Sequence, residues 1–261
     1  MELLQYEFFR NALTGVVLIS IACAVIGMYV VTRRMVFIAG GITHTCFGGL
    51  GLGYFLGWNP IATAAAFAVA GGLAVQHISR GKVRQDSAIA VVWALGMALG
   101  ILFVFLTPGF VPELNAFLFG NVLSITRTDL WIFAAFTLVA IAVYALFGRV
   151  IMAVSFDEDF ARTRHLPVAA VNTLMMIMVS VCIVLTIKMI GVMLLMSLMS
   201  LPQMVAERLT RRYSRMMLMS ALVSAAGCIA GLWLSVLIDV PASAMIVIIL
   251  AFLWALAQLK K

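Results

Sequence analysis

Apolar runs long enough to cross a bilayer alternate along this chain with short polar punctuation, and the alternation predicts its elements. A helix needs roughly 20 apolar residues to cross a hydrocarbon core about 30 Å thick. Runs of that kind lie near 11–31, 35–56, 60–78, 86–106, 129–148, 168–187, 189–206, 216–238 and 241–258. They predict an all-α integral membrane protein, a polytopic bundle of about nine transmembrane helices. The range is eight to ten, because only Lys188 separates 168–187 from 189–206. Pro60, Pro167 and Pro241 stand where a run begins, a position that a helix tolerates. Pro202 falls near the end of a run and is expected to kink it. The connection from Thr107 to Asp129 is the longest. Within its 112–126 stretch, Glu113 to Gly120 is too short to span and reads as a short or re-entrant helix. No low-complexity tract or soluble domain interrupts the pattern, so residues 1–261 read as a single transmembrane domain.

Composition strengthens the class. Hydrophobic residues make up 65% of the 261 and charged residues 10%, with a mean hydropathy of +1.17; a soluble domain carries about 25% charged residues. The net charge of +7 reads as topology rather than as an affinity for nucleic acid. With the N-terminus outside, the inner loops collect Arg33, Arg34, Arg80, Lys82, Arg84, Arg149, Arg162, Arg164, Arg208, Arg211, Arg212, Arg215, Lys260 and Lys261. Arg10, Arg127 and Lys188 remain outside. Excess Lys and Arg in short inner loops is the usual bias. It predicts a multi-pass protein of the cell (inner) membrane with a cytoplasmic C-terminus. Glu2 and Glu7 before Arg10, with no small-residue cleavage site, argue against a cleaved signal peptide.

One hydrophilic island interrupts the hydrocarbon. Ser155-Phe-Asp-Glu-Asp-Phe-Ala-Arg-Thr-Arg-His165 holds Asp157, Glu158 and Asp159, then Arg162, Arg164 and His165. Such a group cannot lie in lipid unsolvated, so it faces water on the inner side, as a segment spanning 152–166. Phe156 and Phe160, four apart, are expected to share one face of a short helix. Aromatics ringed by charge suggest a docking surface for another protein.

At membrane depth the candidate chemistry is sparse. A helix starting near Met35 places His44 about 15 Å deep, beside Phe37, Gly40, Gly41, Gly48 and Gly51. That glycine-rich stripe admits either a close-packed helix or a cavity beside the imidazole. His44 therefore reads either as a metal or substrate contact in a translocation path or as a hydrogen bond across a helix interface. Glu113 in the outer loop can attract cations at a mouth. Asp86 and Asp239 fit helix termini. Met189, Met193 and Met196, at i, i+4 and i+7, fit either a soft-metal ladder or adaptable packing. Cys23, Cys46, Cys182 and Cys228 lie within runs at unpaired spacing, which indicates neither a disulfide framework nor a zinc knuckle. The chain holds no G-x-x-x-x-G-K-[ST], H-E-x-x-H or G-x-S-x-G motif, so it carries no P-loop of its own for ATP hydrolysis.

Five stretches, in order along essentially the whole chain, resemble the permease subunits of the zinc/manganese/iron ABC importer family. Arg33-Arg-Met-Val-Phe-Ile-Ala-Gly-Gly-Ile-Thr-His44 resembles L-R-R-x-A-F-I-G-D-A-L-S-H, and Phe117-Leu-Phe-Gly-Asn-Val-Leu123 resembles Y-L-F-G-x-I-L. Ser155 to Arg162 resembles the cytoplasmic coupling segment. Gly191-Val-Met-Leu-Leu-Met-Ser-Leu-Met-Ser-Leu-Pro202 resembles G-x-L-L-V-x-A-L-L-x-x-P, and Gly231 to Pro241 resembles G-L-x-L-S-Y-x-x-D-x-P-S-G. The resemblance implies a permease rather than an enzyme, working as a homodimer with two ABC ATPase subunits and an extracytoplasmic metal-binding protein. It implies a transported divalent ion (zinc, manganese or iron) and no prosthetic group. His44 and Glu113 would then contact metal, and Phe156, Asp157, Glu158, Asp159, Phe160 and Arg162 would dock the ATPase. The family's Asp four residues before the histidine is Gly40 here, which leaves that pair incomplete. The competing reading is an ATP-independent secondary cation transporter or channel, with His44 as its relay.

Overall fold

The structure, a computed structural model, describes residues 5–79, 83–108, 120 and 122–259. Glu113, most of the short outer helix expected at 112–126, and Arg80, Lys82, Lys260 and Lys261 lie outside the described residues. The helices are α1 (Glu7–Thr32), α2 (Ile38–Leu56), α3 (Pro60–Ser79), α4 (Gln85–Leu106), α5 (Arg127–Phe156), α6 (Glu158–Thr163), α7 (Val168–Ile190), α8 (Val192–Leu198), α9 (Leu201–Leu209), α10 (Tyr213–Ile238) and α11 (Ala242–Leu259), with a 3-10 turn at Val122–Ser124. Among the described residues, eight helical stretches are long and apolar enough to cross a membrane; α8 and α9 together form one of them. The remaining predicted span corresponds to α2, 19 residues long, whose glycines and His44 dilute its hydropathy.

Hydrocarbon offers backbone and hydroxyl groups no water, so each must find a partner within the protein. The helices do this for their own amides, and the hydroxyls follow. Ser20, Thr43, Thr45, Thr137, Ser155 and Ser180 each donate to the carbonyl four residues earlier, at 2.6–2.9 Å. At these six positions the hydroxyl costs no unsatisfied donor.

The chain clusters into two compact units. One comprises 1–31, 115–148 and 186–261; the other comprises 32–114 and 149–185. In the first, α10 packs on α11, where Gly231 lies against the backbone of Ile246. The predicted span 189–206 is broken twice. Gly191, at φ 78°, ends α7 three residues beyond Lys188, the separator expected from sequence. Gly120, at φ 59°, lies so close to Ile190 and Gly191 that a Cβ there would stand 2.2 Å from the Gly191 nitrogen. The second break, at Met199–Ser200, leaves Pro202 in the first turn of α9 rather than kinking a helix from within. Gln203, fully buried, donates to the Cys23 carbonyl at 2.8 Å and to the Leu198 carbonyl at 3.0 Å. It fastens the broken helix to α1. At the end of this unit formed by the start of α1 and the start of α5, Arg127 pairs with Glu7 at 2.6 Å and Lys188 pairs with Asp129. Asp129 and Thr126 close a reciprocal cap at 3.2–3.3 Å.

In the second unit α2 packs against both α3 and α4. The α2–α4 contact is made backbone to backbone. A Cβ on Gly48 would stand 2.9 Å from the Gly96 carbonyl oxygen, one on Gly51 would stand 2.7 Å from the Gly100 oxygen, and one on Gly96 would stand 2.5 Å from the Thr45 Cα. Small residues permit this approach where no hydrophobic effect drives helix association. Gly96→Ala is therefore expected to cost about 1–3 kcal/mol through overpacking against backbone that cannot yield. Gly148→Ala, with nothing within 4 Å of the new methyl, should cost nothing. Thermal unfolding of the detergent-solubilised chain measures both, and equal Tm values for the two variants would contradict this account of the contact.

Candidate functional site

His44 sits midway along α2 and is half-buried. Its imidazole stacks on the indole of Trp93 in α4, with ring centroids 4.5 Å apart and planes 14° from parallel. Thr45 donates to the Gly41 carbonyl at 2.8 Å and reaches the Val92 carbonyl at 3.5 Å. The residues following His44 and preceding Trp93 are thus linked as well. Of the glycines flanking His44, Gly41, Gly48 and Gly51 are taken up by contact with α4. The stripe is a packing surface there rather than an open cavity. Among the described residues no cluster of three His, Cys, Asp or Glu side chains could hold a metal. His44 therefore offers a single imidazole donor, and Glu113 is outside the described residues.

The hydrophilic island is built around one carboxylate. Asp157 adopts an extended conformation and caps α6, its side chain accepting from the Phe160 amide at 2.9 Å. That cap separates the two aromatics expected to share a helix: Phe156 ends α5 and Phe160 belongs to α6. Both remain exposed, at 66% and 51%. Glu158 turns inward. Its carboxylate accepts from the Arg33 guanidinium, from the Asn172 amide at 2.6 Å and, more weakly, from Arg162 at 3.4 Å. Arg33 also reaches the Val154 carbonyl at 3.5 Å. One side chain thereby joins α6 to the segment before α2 and to Asn172 near the start of α7. Arg164 lies over the Phe160 ring at 5.4 Å. Asp159 and Arg162 face solvent.

The predicted docking residues therefore divide. Asp157 and Glu158 are committed to holding α6, while Asp159, Phe160 and Arg162 are exposed on α6 and Phe156 is exposed at the end of α5. Sequence reasoning counted Arg33 as a topology charge and as the start of the stretch leading to His44, not as a partner of Glu158, and passed over Asn172, although a lone Asn near the start of an apolar run is a legible signal. Trp93 gave none, since a tryptophan inside a membrane run reads as packing. The methionine ladder is not formed. Gly191 separates Met189, which is buried, from Met193, which is exposed. The four cysteines are buried and form no disulfide. In the other unit a cavity of about 500 Å³ is lined by Phe8, Phe9, Val122, Asp239, Pro241 and Ser243 among others; it includes none of the residues assigned a metal contact.

The model of the ABC 3 transport family matches residues 5–261. The chain belongs to the ABC 3 transport family. It is thus a multi-pass permease of a transport system, with an all-helical fold. Relatives include an uncharacterized membrane protein of Synechocystis sp., 35% identical over 98% of this chain and 92% of its own length. Another is the manganese transport system membrane protein MntC of Halalkalibacterium halodurans, 32% identical over 98% of this chain and 88% of that one. Among solved structures, PsaBC from Streptococcus pneumoniae in complex with Fab shares the fold. It matches at a TM-score of 0.85 and 23% identity, over 98% of this chain and 92% of that chain.

Burial alone would push the Glu158 carboxyl up, but the Asn172 amide and the Arg33 and Arg162 guanidiniums outweigh it and hold it below the ordinary carboxylate range. A folded-state value below the unfolded one stabilises the protein above the unfolded pKa of about 4.3. That contribution is lost as the pH falls through the folded-state value. Glu158→Gln, with no proton to bind, is expected to cost about 1–2 kcal/mol at neutral pH. Its gap to the wild type should close on acidification below about pH 4. Tm values of the two chains across that range test the sign, and a gap that persists in acid would assign the effect to packing.

Proposed function

We propose that this chain is the permease of an ATP-driven importer of divalent transition metal ions (zinc, manganese or iron), with His44 on the ion path and α6 as the contact for a separate ABC ATPase. The observation that carries the reading is α6 itself. It is a charged helix held from within by Glu158, with Asp159, Phe160 and Arg162 turned outward beside Phe156 at the end of α5. Support for the cargo comes from the name of the MntC relative and from the imidazole at membrane depth. The working unit is a homodimer of one-domain permeases (1–261), supplied by an extracytoplasmic metal-binding protein. Glu113 belongs to the mouth of the path. The N-terminus lies outside and the C-terminus in the cytoplasm. Of the three basic residues this topology leaves outside, Arg127 and Lys188 each pair with a carboxylate, which tempers the exception to the charge bias.

The geometry supplies a mechanical route. A push on α6 reaches Glu158, and through it Arg33, eleven positions before His44 on the segment that enters α2. Asn172 passes the same displacement to α7. ATP-driven movement of a bound partner would then bias two packings of these helices, one open to each side. Proteoliposomes holding the chain with its ATPase are expected to take up one of the three metals only with ATP. His44→Ala should lower uptake at least tenfold, the loss of a functional intramembrane group. Asp159→Lys should abolish uptake while leaving membrane insertion and Tm unchanged, because Asp159 takes no part in holding α6. Full-rate ion flux through the chain alone, without nucleotide, would instead establish the secondary transporter.

A further inference from the structure

The imidazole of His44 has no hydrogen bond to either ring nitrogen among the described residues; its recorded partner is the Trp93 ring. Metal-binding imidazoles are ordinarily oriented by a hydrogen bond from the second ring nitrogen to a carboxylate or carbonyl. Four residues earlier on the same helix stands Gly40, which has no side chain to accept one. Without an orienting contact, the terminal torsion of a histidine is broad, and the donor lone pair sweeps an arc rather than facing one point. A stack at 4.5 Å and 14° removes that freedom differently. It covers one face of the imidazole, fixes the ring plane, and engages neither ring nitrogen, the atoms through which a metal ion bonds.

The stack is held on a rigid support. Gly96, one turn after Trp93, lies against the His44 carbonyl oxygen and Thr45 Cα. Thr45 reaches the carbonyl of Val92, the residue before Trp93. Both rings are carried on backbones that touch, so neither can slide along its partner without breaking the α2–α4 contact.

We propose that Trp93 is a positioning residue for the transported ion, setting the plane of the His44 ring by stacking where no side chain at Gly40 can do so. The proposal rests on the reading of His44 as an ion contact. Trp93 acts on affinity through His44, not on the power stroke.

The test uses the full permease–ATPase complex in proteoliposomes with Mn²⁺, Zn²⁺ or Fe²⁺ as the probe, in four variants: Trp93→Phe, Trp93→Leu, His44→Ala, and His44→Ala with Trp93→Leu. Trp93→Leu keeps an apolar side chain but has no ring face. It should raise KM roughly 2- to 12-fold, the factor that an aromatic pair represents, with kcat unchanged. Trp93→Phe should restore most of the loss. In the His44→Ala background Trp93→Leu should add nothing, as for a residue that acts through its partner. A spectroscopic readout runs beside transport. Titrating the full chain in lipid nanodiscs with the transported ion should perturb indole emission in the wild type, and the perturbation should vanish in Trp93→Phe and in His44→Ala. If Trp93→Leu matches the wild type, or costs as much without His44 as with it, the positioning role is overturned. A wild-type KM in His44→Ala would sink the reading of His44 itself, an outcome distinct from the first.

Discussion

Close approach of helix backbones is the constraint on which the candidate ion site depends. In lipid, the apolar side chains of one helix gain nothing by leaving hydrocarbon for another helix, so association rests on van der Waals contact and internal hydrogen bonds. The glycines of α2 and α4 supply that contact by removing the side chains that would hold the helices apart. The same residues that make α2 the least hydropathic of the spans also make it the most tightly gripped in its unit. A histidine placed on such a helix has little positional freedom left to lose, and its neighbour's indole removes most of what remains.

A second constraint operates at the water-facing end of the same unit. Glu158 gathers Arg33, Asn172 and Arg162 at one carboxylate. Each contact alone is of the partly exposed kind that contributes little. Together they tie the segment before α2 to α6 and α7, more than a hundred residues later in sequence, and the geometry matters more than the energy. A short helix of six residues cannot maintain itself in water. Asp157 caps it and Glu158 anchors it, and Asp159, Phe160 and Arg162 stay exposed on its surface. Stability and surface are thus assigned to different members of one acidic triplet.

Much of this was legible in the order of residues. The apolar runs predicted the helices because lipid imposes a single length scale, and the prolines marked helix starts because a missing amide is harmless there. Pro202 misled for the same reason. Its run is two helices, and the break is set by Met199 and Ser200 and by the burial of Gln203, none of which hydropathy registers. The charged island was legible as a water-facing element, but not the inward turn of Glu158, which requires knowing that Asn172 and Arg33 meet there. The pairing of Phe156 with Phe160 failed because an i, i+4 rule assumes one continuous helix, and the cap at Asp157 ends it. For His44, the sequence offered a cavity or a packing surface. The contact of Gly41, Gly48 and Gly51 with α4 makes the stripe a packing surface at those positions, and Trp93 lay beyond the reach of any periodicity.

The single imidazole has a consequence for transport. A site that holds an ion with three or four strong donors binds tightly and releases slowly, whereas conduction requires binding weak enough to leave. On the proposed reading, His44 with Gly40 beside it meets that requirement by subtraction. A lone neutral donor competes poorly with the full hydration shell of a divalent ion unless its direction is fixed in advance. Preorganisation lowers the ordering cost of each encounter without adding a second bond that would have to be broken. A stacked aromatic ring fits that task better than a carboxylate. A carboxylate would add charge and coordination to a site whose work depends on letting go.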